Sequence, residues 1–388
     1  MINTTLIVRR TATLLPLVFV GACTTFNDYW ADMNRSPEPE PVPVIPLAER
    51  AIEEPLVANH FELTSPEQSV VGEPQIVFTR DEDTFSDLAR AYGLGYDELV
   101  AANPDVNPWL PGEGTPILLP TQFVLPATAR EGVVLNMASK RLFYFPAMPE
   151  GENQIVKTYP IGIGRVGWET PLGSTTVTAK AVDPVWYVPA SVRKEHAEMG
   201  DPLPSVVPAG PDNPLGSRVL KLDIPGYLIH GTNQPYGVGM RVSHGCVRLY
   251  PENIEYLYEL VDIGESVQIV NEPYMLGRLD GELMFEAHEP LEDDAVSQED
   301  RLNDLFVSFG ESATNELSVE LEASIRELAR ATSGVPVRVA GYGVDEAMDY
   351  ARVVRNVVEA DPDAPTLTEV REMMDEAMAE ADADSDQT

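Results

Sequence analysis

The sequence predicts a mainly β central domain, folded as a sandwich or barrel, between a small α+β module and an acidic α/β or helical C-terminal extension. Three observations favour this division. Short runs rich in β-branched and aromatic residues recur between Gly- and Pro-containing turns over residues 130–271. Residues 59–122 contain two short helical patterns flanked by strand-like runs. Residues 272–388 are acidic and carry apolar residues at helical spacing.

Length and charge limit the classes of function. The 388 residues have room for two or three domains, and the formal net charge is −37 at pH 7. Because such a surface repels phosphates and no basic stripe is present, nucleic acid is excluded as a partner. Every lysine lies within residues 130–271. This leaves two interpretations: a generally acidic protein whose central domain is least altered, or a central surface that tolerates an anionic substrate.

Residues 1–23 are predicted to be a signal peptide. A positively charged start precedes an apolar run that is too short to span a bilayer. The run ends in Val20-Gly21-Ala22-Cys23, which resembles the lipobox of bacterial lipoproteins. The resemblance implies cleavage before Cys23, a lipid on that cysteine and, because Thr24 follows, anchoring at the outer membrane on its periplasmic face. The alternative is an ordinary signal peptide with an incidental cysteine.

Residues 24–58 are predicted to be a tether. The run Pro37-Glu38-Pro39-Glu40-Pro41-Val42-Pro43 has few backbone donors and favours a stiff, extended coil. Such a tether lets the folded part reach away from a membrane anchor. A linker with no required length is the alternative.

Residues 59–122 are predicted to form a strand–helix–helix–strand module. Thr84 is the expected N-cap of the first helix, and Gly93 is expected to end it. The second helix is expected over residues 96–102. The flanking strand-like runs are residues 76–79 and 116–120. This order resembles a LysM module, a small fold that binds glycan; a spacer of the same shape that no longer binds glycan is the alternative.

Residues 130–271 are predicted to contain most of the β structure. The strand-like runs are Val133–Asn136, Arg141–Phe145, Ile155–Pro160, Thr175–Ala181, Val219–Leu222 and Val267–Val270. Helices are expected over Ala190–Met199 and Glu252–Val261. Few helices among many short strands indicate a sandwich or barrel.

Cys246 is the candidate nucleophile of this domain. His244 stands two residues before it, and His230 lies on the preceding strand-like run. A thiol attacks as the thiolate, and a nearby histidine is the usual base that produces it. The other cysteine is Cys23. If Cys23 is acylated, Cys246 has no disulfide partner within the chain and is expected to be a reactive thiol.

The motif around this cysteine is specific. His230-Gly231-Thr232 is followed by Ser243-His244-Gly245-Cys246-Val247-Arg248-Leu249, and together they resemble the catalytic signature of L,D-transpeptidases of the YkuD type. The resemblance implies a YkuD-like β fold and a cysteine acyltransferase of peptidoglycan that needs no cofactor and no metal. Many relatives have Asn where Arg248 stands. Arg is found in the subgroup that links outer-membrane proteins to peptidoglycan.

The resemblance also implies the role of each residue. Cys246 attacks the carbonyl between the third and fourth residues of a peptidoglycan stem, releasing D-Ala and leaving a thioester. His230 is the base, and the carbonyl of Gly231 orients it. Backbone N–H groups around Gly245 and Cys246 form the oxyanion hole. Contacts to the substrate are expected from Ser243, His244 and Arg248, of which arginine suits a carboxylate.

The acyl acceptor stays open. An amine of an outer-membrane protein, a diaminopimelate amine on a neighbouring stem, or water are the alternatives, and water makes the enzyme a hydrolase. A non-catalytic wall-binding lipoprotein is the remaining hypothesis. The other histidines, expected to be structural or surface residues, are His60, His196 and His288.

Residues 272–388 are predicted to extend the chain beyond the usual domain. A strand is expected over Leu305–Phe309, and helical spacing of apolar residues follows from Leu317 to Leu328. A second strand is expected over Val335–Ala340 and a second helix over Met348–Val358. This order faintly resembles OmpA-like peptidoglycan-binding domains; an interaction or spacer module is the alternative. The final acidic stretch is expected to be disordered.

Overall fold

The computed structural model describes residues 45–56, 59–312, 317–340 and 344–359. The predicted signal peptide with Cys23, most of the predicted tether and the final acidic stretch lie outside the described residues. Within the described ranges, no helix combines the length and the apolar character that a membrane crossing needs.

The elements are numbered in chain order. The strands are β1 (His60–Glu62), β2 (Val70–Gly72), β3 (Gln75–Phe78), β4 (Pro116–Leu119), β5 (Gln122–Val124), β6 (Gly132–Asn136), β7 (Arg141–Phe145), β8 (Ile155–Pro160), β9 (Ile163–Gly164), β10 (Gly173–Val182), β11 (Trp186–Tyr187), β12 (Val206–Val207), β13 (Arg218–Leu222), β14 (Leu228–His230), β15 (Arg241–Ser243), β16 (Val247–Arg248), β17 (Ser266–Val270), β18 (Tyr274–Leu279), β19 (Glu282–Ala287), β20 (Val337–Arg338) and β21 (Arg352–Val354). The α-helices are α1 (Phe85–Ala91), α2 (Tyr96–Ala102), α3 (Ala190–Glu198), α4 (Pro251–Leu260), α5 (Gln298–Ser312), α6 (Val319–Leu328) and α7 (Val344–Tyr350). Short 3₁₀ turns cover Leu47–Glu49 and Pro235–Gly237.

A nine-stranded mixed sheet organises the central domain. Its strand order is β1-β8-β7-β6-β17-β10-β13-β14-β16. Strands β6 and β17 run parallel, as do β14 and β16, and the other neighbours are antiparallel. The strands and helices predicted within residues 130–271 are all present, so the prediction of a mainly β domain is confirmed.

Helix α4 covers one face of this sheet. Pro251 stands in its first turn, where a missing backbone N–H costs nothing. Ile254 and Leu257 are fully buried and pack with apolar residues of the sheet such as Leu220 and Val267. The amphipathic pattern of the helix therefore fixes it on the sheet, leaving the opposite face of the last strands for other contacts.

The strand–helix–helix–strand module has the expected elements. Thr84 accepts a hydrogen bond from the backbone N–H of Asp87 and completes a capping box at the start of α1. Gly93 follows the helix with a φ of 67°, a conformation that glycine adopts without strain. The side chain of Asn103 donates to the carbonyl oxygens of Leu99 and Leu118, at 2.9 Å each, and so ties α2 to β4.

The module and the sheet share one apolar core. Phe85 and Leu88 of α1 pack in the same buried cluster as Val134, Phe143 and Val156 of the sheet. The two parts are therefore held together by burial of a common surface rather than joined by a free linker.

The N-terminal described segment and the C-terminal extension contact each other. Strand β21 pairs in parallel with β3 of the module. The backbone N–H of Glu53 donates to the carbonyl of Val353 at 2.9 Å, and that of Arg355 donates to the carbonyl of Glu53 at 2.8 Å. The part of the predicted tether that is described, residues 45–56, thus lies against the extension.

Two predictions in the extension are wrong. Leu305–Phe309 belongs to helix α5, not to a strand. Leu302, Leu305, Phe306 and Phe309 recur at i, i+3, i+4 and i+7, and this stripe packs against β18 and β19. The helix expected over Met348–Val358 ends at Tyr350, and β21 follows because its β-branched residues pair with β3.

Candidate active site

Four neighbouring strands present one face to a cleft of about 1030 Å³. Residues directly opposite each other on paired strands point to the same face. One row across β10, β13, β14 and β16 consists of Ala181, Val219, His230 and Arg248. The next row consists of Ala179, Lys221 and Leu228. Continuing the β14–β16 register by one residue beyond the Ile229–Val247 pair places Cys246 opposite Leu228.

The loop before Cys246 is built around Gly245. Its φ is 96°, and a Cβ added there would lie 3.0 Å from Cε1 of Tyr227 and 3.3 Å from the carbonyl oxygen of Trp168. Because the conformation would strain a side chain and these atoms would crowd it, glycine is favoured at this position. Thr170 Oγ1 donates to the carbonyl of Gly245 at 2.8 Å and fixes the loop further.

Ser243 holds the same loop from inside. Its side chain is buried. The hydroxyl donates to the carbonyl of Cys246 at 2.5 Å and accepts from the N–H of Gly245 at 3.2 Å. Since both hydrogen bonds are made within the loop, the geometry gives Ser243 a positioning role, and the substrate contact expected from the sequence stays a prediction.

Cys246 is a partly exposed free thiol in the cleft. Its Sγ lies 3.6 Å from the carbonyl oxygen of Gly226. Burial raises the pKa of the Cys246 thiol, and this effect outweighs the backbone N–H of Leu228 and the charge of Arg248, which both lower it. The thiol is therefore protonated near neutral pH, and such a thiol acts as a nucleophile only when a base removes its proton.

His230 is a buried neutral imidazole. Its Nδ1 lies 2.6 Å from the carbonyl oxygen of Gly231, so Nδ1–H is the donor and Nε2 is left as the basic nitrogen. Burial and then the charge of Arg248 lower the pKa of His230 to about 3, against the carbonyls of Gly231 and Leu215, which raise it. The imidazole is thus neutral across the neutral pH range, with Nε2 unprotonated.

Two backbone N–H groups stand at the expected oxyanion position. The N–H of Gly245 donates to Ser243 Oγ at 3.2 Å, and its role in an oxyanion hole stays a prediction. The N–H of Cys246 has no acceptor among the described residues, and it belongs to the nucleophile itself.

Arg248 lines the cleft without an acidic partner in the described part of the chain. Its Nε is buried and has no hydrogen-bond acceptor there. Backbone hydrogen bonds with Gly162, at 2.8 and 2.9 Å, hold its strand in place. A guanidinium without an anion, aimed into a cleft, is suited to bind a carboxylate of a ligand.

His244 belongs to a charged network beside the cysteine. Its Nε2 lies 2.9 Å from Oε2 of Glu195 on α3 and 3.1 Å from Nη2 of Arg165, which also pairs with Glu195. The ring meets Trp168 edge-on at 4.9 Å. Burial and then the charge of Arg165 lower the pKa of His244, whereas Glu195 raises it. The hydrogen bonds from Arg165 and His244 hold the pKa of Glu195 below its ordinary value.

The histidines expected to be structural have different surroundings. His196 lines the cleft, with its ring 6.0 Å from that of His244. No spacing in the sequence indicated this, because α3 reaches the cleft by tertiary packing. His60 lies 3.3 Å from Lys157 Nζ, and the buried His288 lies 2.6 Å from Glu286, both outside the cleft.

Comparison with known proteins finds similar sequences. A family model of the L,D-transpeptidase catalytic domain of the YkuD type matches residues 130–269. The chain is 42% identical over 246 residues to a probable L,D-transpeptidase ErfK/SrfK of Salmonella typhimurium, covering 61% of this chain and 78% of the relative. It is 37% identical over 300 residues to a probable L,D-transpeptidase YcfS of Escherichia coli, covering 75% of this chain and 91% of the relative.

A solved structure also aligns with part of the chain. L,D-transpeptidase 3 of Mycobacterium tuberculosis aligns with 36% of this chain and 60% of its own, at 21% identity and a TM-score of 0.27. The family assignment is therefore carried by the sequence relatives.

Proposed function

The chain belongs to the YkuD-type L,D-transpeptidases, and we propose that it cleaves the diaminopimelate–D-Ala bond of a peptidoglycan tetrapeptide stem and transfers the acyl group to an amine through a thioester on Cys246. Membership of the family makes the chain an enzyme of this class. It also sets aside the hypothesis of a non-catalytic lipoprotein. One observation carries the proposed chemistry: Cys246 and His230 occupy adjacent rows of one sheet face that forms the floor of the cleft.

The first half-reaction starts from a protonated Cys246 thiol and a neutral His230 imidazole. Nε2 of His230 takes the thiol proton as Sγ of Cys246 attacks the carbonyl carbon of diaminopimelate. The developing oxyanion is within reach of the N–H of Cys246. The imidazolium then gives its proton to the nitrogen of the leaving D-Ala as the C–N bond breaks. The products are free D-Ala and a thioester.

The second half-reaction uses the same groups in reverse. An acceptor amine attacks the thioester carbonyl and gives a proton to Nε2 of His230. The Cys246 thiolate leaves and takes the proton back, so the enzyme returns to its starting state. The acceptor is a lysine of an outer-membrane protein or a diaminopimelate amine of a neighbouring stem. Water in place of the amine makes the same sequence a hydrolysis.

Arg248 is the proposed partner of the D-Ala carboxylate. It lies beside His230 across the β14–β16 pair, and His230 gives the proton to the nitrogen of that same D-Ala. A guanidinium at this place holds the leaving group by a two-point contact. His244 contributes by fixing the loop through Glu195 and Arg165.

The test is incubation of the protein with purified disaccharide-tetrapeptide, with and without a lysine-bearing acceptor peptide, followed by mass spectrometry. Release of D-Ala together with a joined product supports the transpeptidase and identifies the acceptor. Release of D-Ala without any joined product supports the hydrolase. Cys246→Ala is the control, and an equal rate of D-Ala release from this variant would contradict the thioester.

The module over residues 59–122 is proposed to bind the glycan of peptidoglycan. Trp109 is 61% exposed, and its ring lies 6.0 Å from that of Tyr96. Exposed aromatic rings offer the flat apolar surface on which a sugar ring can stack. Sedimentation with insoluble peptidoglycan, using the Cys246→Ala protein, tests this. Trp109→Ala should leave more protein in the supernatant, and an unchanged distribution would contradict it.

Cys23 is proposed to carry a lipid that anchors the enzyme at the periplasmic face of the outer membrane. The proposal is supported by the lipobox-like sequence before Cys23. Expression of the full chain and of Cys23→Ser, followed by fractionation of membranes, tests it. The unaltered protein should sediment with outer membranes and the variant should be released. Sedimentation of both forms would contradict the anchor.

A further inference from the structure

We infer that Lys221 forms a second carboxylate site in the cleft, which binds the carboxylate at the far end of the diaminopimelate side chain. The inference rests on the proposed function, because it concerns the donor stem of that reaction. It adds a residue that the catalytic motif does not contain.

The strand register places Lys221 on the floor of the cleft. Lys221 pairs with Leu228, and Val219 pairs with His230, across β13 and β14. Residues two apart on a strand share a face, so Lys221 points to the same side as His230. Leu220 and Leu222 point to the other side and are buried in the core under α4. Lys221 is accordingly exposed and is among the residues that line the cleft.

Lys221 also shares a row with the nucleophile. Leu228 on β14 lies between the two residues. Lys221 on β13 is its partner on one side, and Cys246, when the β14–β16 register is continued, is its partner on the other. Two strand spacings separate the Cα atoms of Lys221 and Cys246, a distance of about 10 Å. The flexible side chain of lysine can move its ammonium along this row toward the thiol.

The ammonium of Lys221 has no acidic partner and no hydrogen-bond acceptor within the described ranges. Lys180, which neighbours the same cleft, is different, because its Nζ donates to the carbonyl of Val261 at 2.7 Å and to that of Tyr258. In a chain of net charge −37, a cation left without an anion on the floor of a cleft is a candidate for an anionic ligand.

The donor stem supplies an anion at this place. With the diaminopimelate carbonyl at Cys246 and the D-Ala carboxylate at Arg248, the second carboxylate of diaminopimelate lies at the far end of its side chain. Arg248 and Lys221 lie in different rows and on opposite sides of the catalytic pair. Two cations at this separation suit a donor whose two carboxylates lie on either side of the reacting carbonyl.

The experiment compares three proteins on two donors. The proteins are the unaltered chain, Lys221→Met and Lys221→Arg; the donors are disaccharide-tetrapeptides with free diaminopimelate and with its distal carboxylate amidated. Initial rates of D-Ala release give kcat and KM. We expect Lys221→Met to raise KM about tenfold on the free donor with kcat unchanged, and Lys221→Arg to restore most of the loss. On the amidated donor, the KM values of the unaltered protein and Lys221→Met should agree.

Lys194→Met is the matched control. Lys194 is exposed on α3, 3.8 Å from Glu198, and does not line the cleft. Its substitution removes the same charge, so a general electrostatic effect would appear in both variants. Thermal unfolding midpoints of all variants establish that they are folded.

Equal KM values for the unaltered protein and Lys221→Met on the free donor overturn the inference. The same loss on both donors also overturns it, because the lysine would then not recognise the distal carboxylate. An unaltered protein that releases no D-Ala overturns the proposed function and this inference with it. Failure of the inference alone is distinguished by normal D-Ala release from the unaltered protein.

Discussion

Arg141 and Arg248 lie on the same sheet in opposite surroundings. Arg141 is 1% exposed, and its Nε and Nη2 each donate to the carboxylate of Glu98 at 2.7 Å. Its guanidinium also lies 4.0 Å from the centre of the Phe123 ring. Arg248 has a buried Nε without an acceptor and no acidic partner among the described residues.

The difference separates two halves of the sheet. Strands β6, β7 and β8 carry core residues on both faces, because the module covers one face and the central core the other. Strands β10, β13, β14 and β16 have one face open to the cleft. Arg141 in the covered half is paired by the protein, whereas Arg248 and Lys221 on the open face have no acidic partner among the described residues. Substitutions should therefore affect stability in the covered half and kinetics in the open half.

His230→Gln should produce the largest kinetic effect, in the open half. Glutamine removes the Nε2 that is proposed to take the thiol proton, and loss of a general base costs about 10²- to 10⁴-fold in rate. D-Ala release from the tetrapeptide measures it, with Cys246→Ala as the reference for complete loss. A rate within tenfold of the unaltered enzyme would contradict the role of His230.

Arg141→Met should produce the largest loss of stability, in the covered half. Removing one partner of a buried ion pair leaves Glu98 charged and unpaired, which costs about 3–5 kcal/mol. Denaturant unfolding measures the change. The double variant Arg141→Met with Glu98→Gln should recover part of it, because the unpaired charge is gone. A loss below about 1 kcal/mol would contradict the expectation that this buried ion pair stabilises the covered half of the sheet.

Arg248→Met should have the opposite effect, changing the kinetics strongly and the stability little. The free energy of unfolding should change by less than about 1 kcal/mol, because no anion in the described protein loses its partner. The value of kcat/KM for D-Ala release should fall between about tenfold and a hundredfold, the cost of one charge-assisted hydrogen bond. Arg248→Lys should recover only part, since an ammonium cannot make the two-point contact. A stability loss as large as that of Arg141→Met would contradict the proposed difference between the covered and open halves of the sheet.

His230 also makes stability depend on pH. Its pKa is about 3 in the folded protein, below the ordinary value of about 6.5 in the unfolded chain. Between these values the unfolded state binds a proton that the folded state does not. The free energy of unfolding should therefore fall by up to about 1.4 kcal/mol per pH unit as the pH decreases from 6.5 toward 3. In His230→Gln this part of the slope should be absent, and identical slopes would show that the imidazole is protonated in the folded state.

The sequence predicted the strands, the two module helices and the proximity of Cys246 to His230, because local patterns and one specific motif carry them. It did not predict that Lys221 lies in the same row as Cys246. That row depends on the pairing of β13, β14 and β16, which local patterns do not encode. His196 was missed for a related reason, since only the packing of α3 brings it to the cleft.

The C-terminal extension shows a different limit of prediction from the sequence. Val353 and Val354 pair with β3, nearly three hundred residues earlier in the chain, so the partner that makes them a strand is invisible in a local window. Leu305–Phe309 was misassigned although the helical stripe was present, because its aromatic and β-branched residues also suit a strand. Long-range pairing and ambiguous short runs account for both errors.

Glu195→Gln should produce the smallest effect, because it changes a partly exposed contact. Glu195 connects α3 to His244 and Arg165, and through His244 to the loop of Cys246. Neutralising it weakens the contact but leaves the side chain able to donate and accept. We expect at most about a fivefold loss of kcat/KM at low salt, shrinking as salt screens the charges of the unaltered enzyme. Glu198→Gln, on the same helix and facing Lys194, is the matched control and should change nothing. A loss that persists at high salt, or that Glu198→Gln reproduces, would show that α3 is held by packing and that the charges around His244 do not position the loop.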